Sequence, residues 1–365
     1  MPVNLTRRDF TKLSALGLTA HFARPLQAQS AGRPTGYAII GLGRIAGHFL
    51  EALQSTPNSR VTALVSGHRD KAERIAAQYG VSKDSIYSYE SFDEIAGNSQ
   101  VDAVYVALPN SMHAEYTIRS ARAGKHVLCE KPMSTSVSDA EKMIVACKAA
   151  NVKLMIAYRC QYEPTNLKAI QLIRDGALGQ VKSIESTFGF SIRPGDWRLD
   201  KKLAGGGPLF DVGIYSLNAS RYLTGEEPEE IKAFASVIDR GGRFSEVEEN
   251  VSWTMSFPSG ILAACNTTYG APMEGQFRVH GSKGWLEVAP AFNYEGLHLR
   301  GRFSGTDLDE PNTERDPYQF VTEAEHFSHC VQNDQEPRTP GEEGLRDMRY
   351  IDQIYRSAGI SVTRP

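Results

Sequence analysis

The sequence predicts an α/β plus α+β chain: a domain with a doubly wound parallel sheet, then a domain built on a large, open, mostly antiparallel sheet. Three observations predict it. Short runs rich in Val, Ile, Leu and Ala alternate with helix-patterned stretches through the first half. A glycine turn, Gly41-Leu42-Gly43, stands at the first strand-helix junction. From about Gln180 the pattern changes to longer runs of alternating polarity, as expected of strands with one covered face.

Taken in order, strands are expected over 36–41, 60–66, 101–108, 126–129 and 153–157, with helices over 46–54, 70–79, 111–123 and 138–150. Repeated strand-helix-strand order gives parallel crossovers, whose ligand crevice opens at the carboxyl ends of the strands. Strands of the second sheet are expected over 181–192, 229–238, 247–257, 260–269, 276–280 and 285–288, and helices over 319–332 and 342–358 close the chain. The division is then a leader at 1–30, a nucleotide-binding Rossmann domain at 31–157 and a substrate-binding and oligomerisation domain at 158–365.

At the glycine turn, Gly41 and Gly43 let the backbone approach a pyrophosphate, and the amides of Arg44 and Ile45 open an anion site at a helix start. Ala46 takes the third small position. By itself this motif also fits a tight turn in any α/β domain. The second strand runs into Ser66-Gly67-His68-Arg69-Asp70-Lys71, where an NAD-selective site usually places a carboxylate on the ribose. A hydroxyl followed by cations suits a 2'-phosphate instead, so NADP(H) is expected. The alternative is that Arg69 and Lys71 are solvated helix-start residues.

With 365 residues, 41% of them hydrophobic, the chain can fill two cores. A net charge of -3 and no basic run beyond the leader argue against nucleic acid as a partner. Five scattered cysteines without a C-x-x-C pair are no disulfide framework. Thr6-Arg7-Arg8-Asp9-Phe10-Thr11-Lys12, a mild apolar stretch over 13–22 and no acidic residue from Phe10 to Ser30 read as a twin-arginine export signal. The alternative is a basic N-terminus that merely contains paired arginines. Cleavage is open between Ala28 and Ser30, and an uncleaved signal is a further alternative. The stretch is too short for a stable membrane span. Export machinery is thus an expected partner and the periplasm the expected location. An enzyme there is cut off from free nicotinamide nucleotide, so its cofactor must travel tightly bound, which export of folded protein permits.

Cys129-Glu130-Lys131-Pro132, with Leu108-Pro109-Asn110-Ser111-Met112-His113 upstream and Gly205-Gly206-Gly207-Pro208-Leu209-Phe210-Asp211-Val212-Gly213-Ile214-Tyr215 downstream, resembles the Gfo/Idh/MocA oxidoreductase family. Tyr158-Arg159-Cys160, Trp197-Arg198-Leu199, Gly225-Glu226-Glu227-Pro228 and Pro340-Gly341-Glu342-Glu343-Gly344 are similar to its branch of exported glucose-fructose and aldose-aldose oxidoreductases. The resemblance implies that Lys131, Asp211 and Tyr215 are catalytic and, with Tyr158 and Arg159, face the substrate. It implies nucleotide contacts at Gly41, Gly43, Arg44, Ile45, Ser66, Gly67, His68, Arg69, Lys71, Tyr87, Leu108, Pro109, Asn110, His113, Glu130, Lys131, Arg159, Trp197 and Arg198. Many members carry His where this chain has Tyr215. Residues 193–196 depart from the fructose users, which favours an aldose as second sugar.

The residues support that assignment. Asp211 and Tyr215 are four apart and would share a helix face. Tyr is a poor base at its usual pKa of about 10, and the Lys131 ammonium is expected to lower it. The implied reaction is a ping-pong pair: an aldose is oxidised at C1 to an aldonolactone on bound NADP, then a second sugar, an aldose or fructose, is reduced to an alditol. The alternatives are a conventional sugar dehydrogenase with exchangeable NADP, and a sugar or nucleotide sensor without catalysis. His326 and His329 lack a matching ligand cluster, so no metal is expected. A homodimer or homotetramer is expected through the open sheet.

Overall fold

The first five apolar runs become strands β1 Thr35–Ile40, β2 Ser59–Val65, β4 Ala103–Val106, β5 His126–Glu130 and β6 Leu154–Ala157. They belong to one all-parallel sheet of order β3-β2-β1-β4-β5-β6. Its edge strand β3, Ile86–Tyr87, is only two residues long and carries no periodicity from which it could be predicted. The computed structural model describes residues 33–361, so the expected leader lies outside the described residues.

β1 is buried at every position, as required of a central strand covered on both faces. Helix α1, Arg44–Gln54, buries Ala46, Phe49, Leu50 and Leu53, a stripe at helical spacing. α2 Arg69–Tyr79, α3 His113–Arg122 and α4 Val137–Ala149 complete the wrapping. Strand order reverses between β1 and β4, so their carboxyl ends splay and leave the crevice.

Helix α5, Pro164–Arg174, was not predicted; Glu163 caps it by accepting from the amides of Thr165 and Asn166. An eight-stranded sheet follows, of order β14-β13-β12-β11-β7-β10-β9-β8. Its strands are β7 Val181–Gly189, β8 Glu230–Ser236, β9 Asn250–Ser256, β10 Leu262–Thr268, β11 Met273–Gly281, β12 Gly284–Val288, β13 His298–Phe303 and β14 Thr306–Pro311. All neighbours are antiparallel except β7 and β10. The hairpin β13-β14 is a second omission of the sequence reading: β14 is Thr-Asp-Leu-Asp-Glu-Pro and buries no residue, so only its turn, with Ser304 and Gly305 at positive φ, marks it.

Helix α6, Ile214–Thr224, packs beneath β7 and β10. α7, Tyr318–Gln332, returns to the first sheet and buries Phe320, Ala324 and Phe327 among Tyr37, Phe49 and Tyr105. α8, Gly341–Ser357, lies along α4 and β8. Among the described residues no helix is long and apolar enough to cross a membrane. All five cysteines are free and buried.

Candidate active site

Where β1 ends, Gly41 turns the chain at φ +82, and a Cβ there would lie 2.5 Å from the Ala107 carbonyl oxygen. Only glycine fits. Gly43 precedes α1 without a side-chain cap, and a Cβ on it would meet nothing within 4 Å. The first amides of α1 and their positive dipole end therefore face an open cleft of about 840 Å³. Along it, the Ser66 hydroxyl accepts from the His68 amide at 3.0 Å, and Ser66, His68 and Lys71 line the wall with no carboxylate from the end of β2. His113 spans the carbonyls of Leu108 and Pro132 at 2.8 and 2.9 Å, with burial holding its pKa below the usual value. Asn110 donates to the Ala204 carbonyl at 2.8 Å, joining this wall to the second domain. A glycine cradle, an uncapped helix start and a hydroxyl-cation end fit a nicotinamide dinucleotide bearing a 2'-phosphate.

The far end of the cleft holds the chemistry. Lys131 follows β5 and sends its ammonium to the Asp211 carbonyl at 2.8 Å and to Asp211 Oδ1 at 3.4 Å. The same nitrogen stands 4.7 Å from the Tyr215 ring centre. Asp211 lies in a π-helical turn, Leu209–Gly213, that leads into α6; such turns re-aim side chains at functional sites. Its Oδ2 accepts from Tyr269 at 2.9 Å and pairs with Arg198 Nε at 2.9 Å. Burial pushes the Asp211 carboxyl up, but Lys131, Arg198 and Tyr269 together hold it below the usual value. It is a fixed anion.

Tyr215 stands between Phe188 and Phe292, each 5.5 Å away centre to centre. Its hydroxyl departs from the sequence expectation. Burial raises it well above the usual phenol value, and the cation that opposes this most strongly is Arg159, not Lys131. Arg159 lies 5.1 Å from the ring centre and is itself fixed by the Phe292 carbonyl and Gln319 Oε1, each at 2.5 Å. Desolvation outweighs the charges here, so the resting group is a phenol. Glu130 is buried and accepts from Tyr105 and from the Lys131 amide, and burial raises its pKa.

The cleft thus gathers Gly41, Gly43, Arg44, Ile45, Ser66, His68, Lys71, Leu108, Pro109, Asn110, His113, Glu130, Lys131, Arg159, Trp197, Arg198, Asp211 and Tyr215. It does not gather Gly67, Arg69, Tyr87 or Tyr158. Gly67 backs onto Tyr89; Arg69 turns to Glu73 and the carbonyls of Ile86 and Lys83; Tyr87 accepts from Asn98. Tyr158 is buried, with the carboxylates of Asp347 and Glu343 raising its pKa after burial itself. Sequence reasoning missed Tyr89, Phe188, Phe190 and the loop Phe292, Asn293, Tyr294 and Glu295, which also line the cleft. Phe188 and Phe190, two apart on a predicted strand, were the available signal.

Residues 35–158 match the oxidoreductase family with an NAD-binding Rossmann fold, and residues 166–287 match the Gfo/Idh/MocA C-terminal domain. The chain belongs to the Gfo/Idh/MocA family. It is an oxidoreductase of that family, similar to D-xylose 1-dehydrogenase [NADP(+)] of Haloarcula marismortui, with 32% identity over 93% of this chain and 96% of the relative. The crystal structure of aldose-aldose oxidoreductase from Caulobacter crescentus, complexed with glycerol, is 46% identical and superposes with a TM-score of 0.87, covering 90% of this chain and 98% of that one. A 3-ketoreductase from Actinomadura kijaniata, in complex with NADP and TDP-benzene, is 26% identical with a TM-score of 0.78 over 89% and 98%. The likeness to aldose-aldose oxidoreductase expected from the motifs is borne out.

Proposed function

We propose that this protein is an exported sugar oxidoreductase that keeps NADP(H) bound and cycles it between two sugars. The observation that carries this reading is the meeting of Lys131, Asp211 and Tyr215 at the end of the cleft opposite Ser66, His68 and Lys71. When bound, the nicotinamide supplies the hydride acceptor and donor. The protein supplies the rest: Tyr215 holds a proton at Oη, Lys131 and Asp211 orient the sugar oxygen, and Phe188, Phe190 and Trp197 give apolar faces for a ring. In oxidation the C1 hydrogen leaves as hydride and the anomeric hydroxyl passes its proton to Tyr215 Oη in its deprotonated form, giving an aldonolactone. In reduction the second sugar's carbonyl carbon takes the hydride and its oxygen a proton, giving an alditol. Free buried cysteines suit a chain that folds in a reducing compartment before export by the twin-arginine route.

The test is the reduced-nicotinamide absorbance of purified mature protein mixed with glucose, with no nucleotide added. A rise of about one equivalent per subunit, reversed by a second sugar, is expected. A rise only when NADP is supplied would indicate a conventional sugar dehydrogenase. At the other end of the cleft, Ser66→Asp sets a carboxylate where the 2'-phosphate is read. NADP affinity is expected to fall by roughly 10- to 100-fold while NAD gains, measured by fluorescence titration of nucleotide-stripped protein.

A further inference from the structure

If the nucleotide stays bound through many turnovers, something other than the glycine turn must hold it, because that turn and an exposed helix start are open to solvent. The loop between β12 and β13 is suited to this. Although it belongs to the second sheet, its residues Phe292 to Glu295 line the cleft. Its backbone is secured carbonyl by carbonyl. Asn166 donates to the Ala291 carbonyl at 3.4 Å, and Arg159 to those of Phe292 and Asn293 at 2.5 and 3.2 Å. Gln319 donates to the carbonyls of Asn293 and Tyr294, both at 2.9 Å. From this fixed backbone the Tyr294 ring reaches across to the first helix of the other domain. It lies 4.5 Å from the His48 ring centre and 5.7 Å from Phe320, with the Arg159 guanidinium 4.6 Å from its own centre. His48 is one helical turn beyond Arg44, so the ring stands beside the uncapped start of α1. The Arg44 charge acts on the Tyr294 hydroxyl.

We propose that residues 291–295 form a fixed strap over the dinucleotide cleft, and that Tyr294, set against His48 beside the helix start, is the residue that retains the nucleotide. This rests on the retained-cofactor reading above. A strap whose carbonyls from Ala291 to Tyr294 are all bonded does not swing aside as a lid does, so nucleotide release requires the two domains to part at Tyr294. The route of retention lies within one chain.

The experiment follows release of NADPH from the holoprotein into an excess of a coupled scavenging enzyme, in wild type, Tyr294→Ala and Tyr294→Phe. Release from Tyr294→Ala is expected to be on the order of 10- to 100-fold faster than from wild type, since buried aromatic anchors act mainly on dissociation. Tyr294→Phe keeps the ring and falls between. If wild type and Tyr294→Ala hold nucleotide equally long, the strap is wrong while retention stands. Wild-type protein that emerges without nucleotide overturns both. Stripped Tyr294→Ala should melt below stripped wild type, because the ring packs on His48 and Phe320; release is therefore followed well below both melting temperatures, where the faster loss of nucleotide reads retention and not fold.

Discussion

Tyr215→Phe is expected to lower sugar oxidation by the bound nucleotide about 10²- to 10⁴-fold, the usual contribution of a positioned proton-transfer group. The substitution removes one oxygen and leaves the ring in place between Phe188 and Phe292, so nucleotide retention and fold should be unchanged. The hydroxyl matters because neither half-reaction proceeds by hydride alone: the sugar oxygen must lose a proton in oxidation and gain one in reduction. Burial raises the Tyr215 pKa above the usual phenol value, with Arg159 pulling it back. The protonated form therefore prevails through neutral pH. Reduction of the second sugar, which needs that form, should be flat with pH there, whereas oxidation, which must shed a proton, should rise toward alkaline pH. Single-turnover absorbance traces for each half-reaction across pH check both limbs. A Tyr215→Phe protein that oxidises glucose at the wild-type rate would remove Tyr215 from the chemistry, and unchanged function in every assay would favour a sensor.

The sheets were legible because their strands are short apolar or alternating runs between helix-patterned stretches. β3 and the β13-β14 hairpin were not, because β3 is two residues long, β14 buries nothing, and β13 buries only Leu299 and Gly301, too short an alternation to stand out. At the site, the glycine turn, the Cys129-to-Pro132 motif and the Asp211-Tyr215 spacing were all readable as local strings. What was not readable is how burial competes with charge. The sequence puts Lys131 near Tyr215, yet the balance at its hydroxyl depends on desolvation and on Arg159, which is 56 positions away in the chain and held by Phe292 and Gln319. Arg69 shows the same limit in reverse: a cation in the right string faces Glu73 and the carbonyls of Ile86 and Lys83, away from the cleft. Tyr294 was missed because nothing in its own segment signals that it crosses to another domain.

Two of the motifs that pointed to the branch, residues 225–228 and 340–344, prove to be one object, and it carries the largest expected effect on stability. Arg221 of α6, only 4% exposed, pairs with Glu227 at 2.7 Å, with Glu343 at 2.8 Å and with the fully buried Asp347 at 2.5 Å. Asn218 donates to the other Asp347 oxygen at 3.0 Å. The cluster ties α6, which carries Tyr215, to α8. Arg221→Met keeps the stem and removes the charge, leaving buried carboxylates without their cation, at an expected cost of about 3–5 kcal/mol. The cost should depend on pH. Burial already pushes Asp347 up to about 6, with Arg221 pulling it down and Glu343 raising it. A carboxyl raised in the folded state binds its proton more tightly there than when unfolded, so its contribution favours folding at low pH and is lost as pH rises through the folded value. Without Arg221 that value rises further, and more of the loss falls at neutral pH. Urea midpoints should therefore show a larger gap between variant and wild type at pH of about 8 than at about 5. An equal gap at both would mean that Asp347 keeps its charge without Arg221, and that the cluster is held by its hydrogen bonds to Asn218 rather than by the ion pair.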